Sequence, residues 1–162
     1  MKKKIIFWLG VEFTHFCLSN ILQKHFDAEY YSVIDITSKP RTFFEKQNLT
    51  EFKKSWYFFD HVKKTNHNID YEYLRNFEKK YQINLWNLAV NERIFYRFNE
   101  FYKFSKDEIY SILEQECKLF EQILDEINPD FLLTKDASRH HHHLFTEMCK
   151  KRGTKVLMLS RT

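Results

Sequence analysis

Four consecutive histidines, His140–His143, stand in the stretch SRHHHHLFTEMCKK. Imidazole titrates nearest to neutral pH, so such a run could transfer protons or ligate a metal. Laid on a helix, His141 falls in line with Leu144, Phe145 and Met148 and is expected to lean inward. His140 and His143 share the face of Glu147 and are expected to lean outward. Two ligands on one helix face need a spacing of three or four residues, which within the run only His140 and His143 meet. Glu147, one turn on, could add a third ligand. No further ligand is evident nearby, so the expectation is a structural or substrate-facing helix start, with no metal site. The run sits inside a periodic sequence and is not a terminal tag.

Other residues suited to chemistry gather in three short stretches. GVEFTH (10–15) holds Gly10, Glu12 and His15; a second stretch runs from Asp35 to Ser38; TKDASRHHHH (134–143) holds Asp136, Ser138, Arg139 and His140. His15 could act as a general base, or be an ordinary histidine in a first helical turn. Asp136 or Ser138 could orient a sugar hydroxyl, but both are also N-cap residue types, and capping the helix that follows is the favoured reading. Arg139 could hold a phosphate or carboxylate, or be a solvated arginine. YRFNEFYKF (96–104), with Trp86 and Arg93, could form an aromatic platform for a sugar; such stripes more often belong to a core.

These stretches need elements to position them. KIIFWLG (4–10) is apolar at both parities, the mark of a strand covered on both faces. THFCLSNILQKHF follows at helical spacing, with Phe16, Cys17, Ile21 and Leu22 inward and Thr14 as cap, and AEYYSVIDI (28–36) is a second strand. This is a strand–helix–strand unit with a right-handed crossover. The last third repeats it. SKDEIYSILEQECKLFEQILDEI (105–127) is a helix with a Ser105/Glu108 capping box, and Asn128-Pro129 stops it. DFLLT (130–134) is a buried strand, a helix carries the histidines with Gly153 as its left-handed cap, and TKVLMLS (154–160) is a further buried strand. In the middle, KPRTFFEKQNLTEFKK reads as helix, SWYFFDHV (55–62) as a third strand, and DYEYLRNFEKKYQ and INLWNLAVNERIFYRFNEFYKF as aromatic-rich helices. The sum is a single three-layer α/β domain over residues 1–162, with a mostly parallel sheet of about five strands. In such sheets ligands bind beyond the carboxyl ends of the strands, where the three stretches meet and helix amino termini point.

Composition narrows the function. With only Gly10 and Gly153, neither a dinucleotide fingerprint nor a Walker A loop can be written. The net charge of +4 suits a normal solvated surface, or attraction to an anionic ligand or membrane surface. Basic residues are scattered among acids, and no nucleic-acid partner is expected. Cys17, Cys117 and Cys149 read as reduced, buried residues of a cytosolic protein. The start MKKKIIFWLGV imitates a signal peptide, but its apolar run is short and Glu12 interrupts it. The chain stops just after a strand expected to be buried, so it reads as one half of something longer.

The succession KKIIFWLG, FEKKYQINLWNLAVNERIFYRF and ILDEINPDFLLTKDASRHHHHLFTEMCKKRGTKVLMLS resembles the amino-terminal half of surface (capsule) polysaccharide biosynthesis proteins of the GT-B glycosyltransferase type. The resemblance covers most of the chain, though I-x-P-D-x-x-x-T, a helix, Gly and a short apolar strand are common to many Rossmann-like sugar enzymes. It implies a Rossmann-like, acceptor-side domain. Sugar or a lipid-linked acceptor would bind here, while the nucleotide-sugar donor would bind a second domain that this chain lacks, leaving the isolated chain inactive. By the same resemblance, the catalytic base falls in the GVEFTH loop, on His15 or Glu12, and Gly10, Asp136, Ser138, Arg139 and His140 line the substrate side. No cofactor or metal is implied, and the location would be cytoplasmic, at the inner face of the membrane through peripheral association. A nucleotide-sugar 2-epimerase-like half, or a non-catalytic sugar- or partner-binding module on the same fold, are the alternatives.

Overall fold

The alternation of the first strand decides how the molecule is layered. In β1 (Lys3–Leu9), Ile6 and Trp8 enter one core while Phe7 and Leu9 enter another on the opposite face. The computed structural model describes residues 1–63, 68–97, 100–137 and 139–159. After β1 come α1 (Thr14–His25), β2 (Ala28–Ile34), α2 (Ser38–Lys46), β3 (Lys54–Tyr57) and α3 (Phe58–His61). Then follow α4 (Tyr71–Tyr81), α5 (Leu85–Val90), α6 (Arg93–Tyr96), α7 (Lys106–Ile127), β4 (Phe131–Thr134), α8 (His140–Lys151) and β5 (Lys155–Met158). The sheet is five-stranded in the order β3-β2-β1-β4-β5, and every pairing is parallel. The expected three-layer, Rossmann-like α/β architecture is therefore present.

The order reverses direction at β1, whose neighbours are β2 and β4, so a crevice opens between β1 and β4 at their carboxyl ends. The smaller core, under α1 and α2, joins Phe7, Leu9, Phe16, Ile34 and Phe44. The larger lies under α4–α8 and includes Trp8, Phe58, Phe77, Phe120 and Phe145. Among the described residues no helix is long and apolar enough to cross a membrane.

Several local signals act as read. Ser105 accepts from the Glu108 amide while the Glu108 carboxylate accepts from the Ser105 amide, so the capping box of α7 is complete. Asn128 ends α7 in the left-handed region (φ 48°), and Gly153 (φ 83°) closes α8. At Gly153 a side chain would be strained by the backbone alone.

Other expectations are corrected. Thr14 does not cap α1, which has no side-chain cap, and its buried residues are His15, Phe16 and Ser19; Cys17 and Ile21 are exposed. The helix expected from Lys39 onward ends at Lys46, and the third strand stops at Tyr57, where the chain turns into α3. The long helix expected from Ile83 breaks into α5 and α6 because Glu92 leaves helical geometry and accepts from the Ile94 amide. β5 is an edge strand rather than a buried one, with Leu157 51% exposed. No described element lies over the α1 side of β4 and β5, and an apolar groove of about 440 Å³ runs there past Phe131, Leu133, Leu157 and Leu159.

Candidate functional site

Helix α8 carries the histidines to the carboxyl end of β4, and its packing decides their roles. His141 is buried as expected and His143 is exposed, but His140 is buried too, at 8% exposure, as is His142. The outward expectation for His140 fails because position 140 lies four residues before Leu144, on the same buried stripe. Each of the three buried rings meets an aromatic neighbour. His140 lies 4.9 Å from Phe95, His141 stacks on Phe58 at 4.4 Å, and His142 stacks on Trp8 at 4.8 Å, centroid to centroid.

His140 sits between two carboxylates. Its Nδ1 is 2.8 Å from Glu92 Oε2 and its Nε2 is 2.9 Å from Glu116 Oε1. Burial alone would lower the His140 pKa, but Glu116 and Glu92 outweigh it and raise the ring to about 9. Burial likewise pushes the Glu92 carboxyl up, yet the His140 ring, the His140 amide and the Ile94 amide together bring it down to about 2. At neutral pH the His140 imidazolium is paired with the Glu92 carboxylate on one side and faces Glu116 on the other. Such an arrangement survives out of water only because each charge is paired and hydrogen-bonded.

The other two histidines differ. His141 Nε2 lies 3.2 Å from Asp35 Oδ2, at the end of β2. His142 Nε2 bonds to the Thr134 hydroxyl, and burial first, with His141, Lys135 and His15 beside it and Asp35 opposing, lowers its pKa to about 4. It is a neutral, structural ring at pH 7.

Glu92 also sets the electrostatics of the helix start. Its Oε2 accepts from the His140 backbone amide at 2.8 Å, so an internal carboxylate takes the place at the amino terminus of α8 where an external anion would bind. Asp136 does not serve as cap: the N-cap residue is Arg139, without a side-chain cap bond, and Asp136 is exposed; Ser138 lies outside the described residues.

The remaining expected site residues divide between rim and interior. Gly10 lies against Lys135, whose Nζ is 3.8 Å from where a Cβ would stand. Glu12 is exposed at the rim, while His15 is buried at 4% exposure with its Nε2 lacking a hydrogen-bond partner. Arg139, with a side chain 47% exposed, reaches within 3.8 Å of Asp35 Oδ1, an ion-pair distance too long for a hydrogen bond. Asp35 Oδ1 and Glu116 Oε2 are likewise buried without hydrogen-bond partners among the described residues. A cleft of about 310 Å³ opens beside this group, lined by Asn87, Asn91, Glu92, Arg139, His140 and His143 among others. Larger hollows lie at the opposite end of the sheet and on the bare apolar face, away from these titratable groups.

Among the described residues, the aromatics of the expected platform do not share one surface. Phe95 and Phe104 pack edge to face at 5.2 Å, Trp86 stacks on Tyr110 at 5.2 Å, and Phe98 and Asn99 lie outside the described residues. Tyr96, Phe101 and Tyr102 are exposed.

Two important residues, Glu92 and Glu116, were not singled out from the sequence, and Asp35 was named only as the start of the second stretch. Glu116 had a signal: it falls on the stripe of Ile109, Leu113 and Phe120, an acid at a core position of the best helix. Asp35 ends a buried strand at the rim. Glu92 had no comparable signal, because its role comes from a partner 48 residues away. Set against known proteins, the chain matches no family, no curated sequence and no solved structure.

Proposed function

We propose that the chain is the acceptor-side domain of a GT-B-type glycosyltransferase acting in surface polysaccharide biosynthesis. The observation that carries this reading is the Glu92 carboxylate on the amino terminus of α8. A nucleotide-sugar brings a diphosphate, and in parallel α/β sheets the helix amino termini at the crevice are where it binds. With that terminus already holding an anion, the cleft at His140 disfavours a diphosphate and suits a neutral sugar. This favours an acceptor domain over a 2-epimerase-like half, which would hold the nucleotide-sugar in the same crevice.

Further support comes from polar groups gathered where ligands bind in this fold. Arg139 and Glu12 are accessible at the rim, and Asn87 and Asn91 add amides to the cleft wall, groups suited to sugar hydroxyls. In this proposal Glu12, open to solvent, is the first choice for the base that deprotonates an acceptor hydroxyl. His15 is buried and takes that role only if it becomes accessible to the acceptor. The donor would come from a second domain.

The reading is tested by titrating the chain with UDP and GDP, and separately with neutral hexose and N-acetylhexosamine oligosaccharides, following histidine and arginine NMR signals. Saccharide-dependent shifts at His140 and Arg139, without comparable nucleotide shifts, are expected. Tight UDP or GDP binding at this cleft, with no saccharide response, would overturn it. Transfer itself is measured on the chain combined with the donor-binding domain that this proposal requires; loss of transfer in Glu12→Gln with retained saccharide binding is the expected signature of the base.

A further inference from the structure

A carboxylate and two imidazoles that approach closely inside a protein are the donor set of a transition-metal site. Potential ligand atoms of Glu116, His140 and His141 all lie within 4.8 Å of one another, and all three residues are buried. We propose that these three side chains bind a single divalent metal ion of zinc's class, which displaces to solvent the proton between His140 Nε2 and Glu116. The inference stands on the cluster itself and is independent of the glycosyltransferase reading.

Donor chemistry comes first. Two histidines and one glutamate form a mixed nitrogen–oxygen set that suits zinc and its neighbours and leaves a coordination position for water or substrate. Sequence spacing did not suggest it, because His140 and His141 are adjacent and the third ligand comes from α7. The tertiary fold removes that limit: α7 and the first turn of α8 pack together and present the ligands from two helices.

Orientation is the second observation. Glu92 Oε2 holds His140 Nδ1 at 2.8 Å, which turns Nε2 toward Glu116. A carboxylate on the far nitrogen of a ligating histidine is the usual outer support of a metal site. Asp35 Oδ2, 3.2 Å from His141 Nε2, places a carboxylate on the second histidine as well. Both rings are further held by aromatic packing, on Phe95 and Phe58.

The third observation is unmet bonding capacity. Glu116 is 1% exposed, yet its Oε2 has no hydrogen-bond partner among the described residues. Buried carboxylate oxygens normally have a partner, and a cation would supply one. Tetrahedral zinc holds its ligand atoms about 3.3 Å apart, so the 4.8 Å spread needs only about 1.5 Å of side-chain closure. The cleft at His140 offers a path inward.

The test uses the 162-residue chain stripped of metal with a chelator. Zn²⁺ is added in competition with a chromophoric chelator, and Co²⁺ is followed by visible absorption. The expected result is one equivalent bound per chain, with the intense bands of four-coordinate Co²⁺. Binding should be unchanged in His143→Ala and weakened about 10- to 100-fold in Glu92→Gln. Glu116→Gln should weaken it at least as much while circular dichroism stays native. Should Glu116→Gln fail to fold, the wild-type Co²⁺ spectrum and the His143→Ala comparison still decide. Weak, six-coordinate Co²⁺ absorption, binding that disappears with His143, or no binding at all would overturn the proposal and leave the bridging proton as the sole occupant of the cluster.

Discussion

The two ends of the sheet handle charge in opposite ways. At the amino end, Asp130 accepts from the Lys4 amide at 2.9 Å and from Lys3 Nζ at 2.7 Å, and Lys2 reaches Asp27 at 2.5 Å. These groups stay near water: the Lys3 and Asp130 side chains are 66% and 34% exposed. The lysine beside Asp130, with the Lys4 amide, holds its carboxyl below the usual range. At the carboxyl end, Glu92, His140 and Glu116 are all at least 92% buried, and the His140 and Glu92 side chains are each 5% exposed. A surface pair adds little and breaks cheaply; a buried one carries a desolvation cost that only complete pairing offsets. An arrangement needed only for stability could have used the surface solution at both ends. The interior charges, together with buried atoms on His15, Asp35 and Glu116 that lack hydrogen-bond partners among the described residues, set the carboxyl end apart from the amino end.

This contrast can be broken experimentally. The largest effect is expected from His140→Ala, which leaves the buried Glu92 carboxylate without its cation. Urea denaturation in the presence of chelator should show a loss of about 3–5 kcal/mol. A loss below about 1 kcal/mol would mean that the pair is more hydrated than its burial implies. Asp130→Ala, at the other end, removes two hydrogen bonds from a partly exposed carboxylate and should cost about 1 kcal/mol by the same measurement. Thiol chemistry sharpens the contrast between α1 and the larger core. Burial pushes the Cys117 and Cys149 thiols well up, whereas Cys17 is exposed, so a native-state thiol reagent at pH 8 should label one thiol quickly and the other two only on unfolding. Fast labelling of all three would show that the α7–α8 packing opens readily. The smallest effect is expected from Lys2→Ala, whose partner Asp27 has a side chain 76% exposed; its denaturation midpoint should match the parent's.

Much of the fold was legible before any coordinates. Apolar residues at both parities in KIIFWLG require a strand covered on both faces, and the structure divides Ile6 and Trp8 from Phe7 and Leu9 accordingly. Ser105, Glu108, Asn128 and Gly153 act locally, through bonds or dihedrals within a few residues, so their roles could be read from neighbours alone. Signals that depend on which face is covered fared worse. Cys17 and Ile21 fit a helical stripe, but α1 is rotated to bury His15, Phe16 and Ser19. β5 has the composition of a buried strand, but it lies at the sheet edge with one face bare.

At the candidate site the boundary falls between location and partnership. The sequence by itself determined that a helix beginning in the histidine run follows a strand, and that this puts the run at the carboxyl end of a parallel sheet. It also determined that Gly-rich phosphate loops are excluded, because only two glycines exist. Only the tertiary structure decided that His140 faces inward, that Glu92 and Glu116 grip it from either side, and that Asp35 meets His141. The reason is range. Helix phase and caps are set by neighbours a few residues apart, whereas the His140–Glu92 and His141–Asp35 contacts join residues 48 and 106 positions apart. Such contacts arise only when strand order and helix packing have brought distant segments together, and no local pattern encodes that meeting.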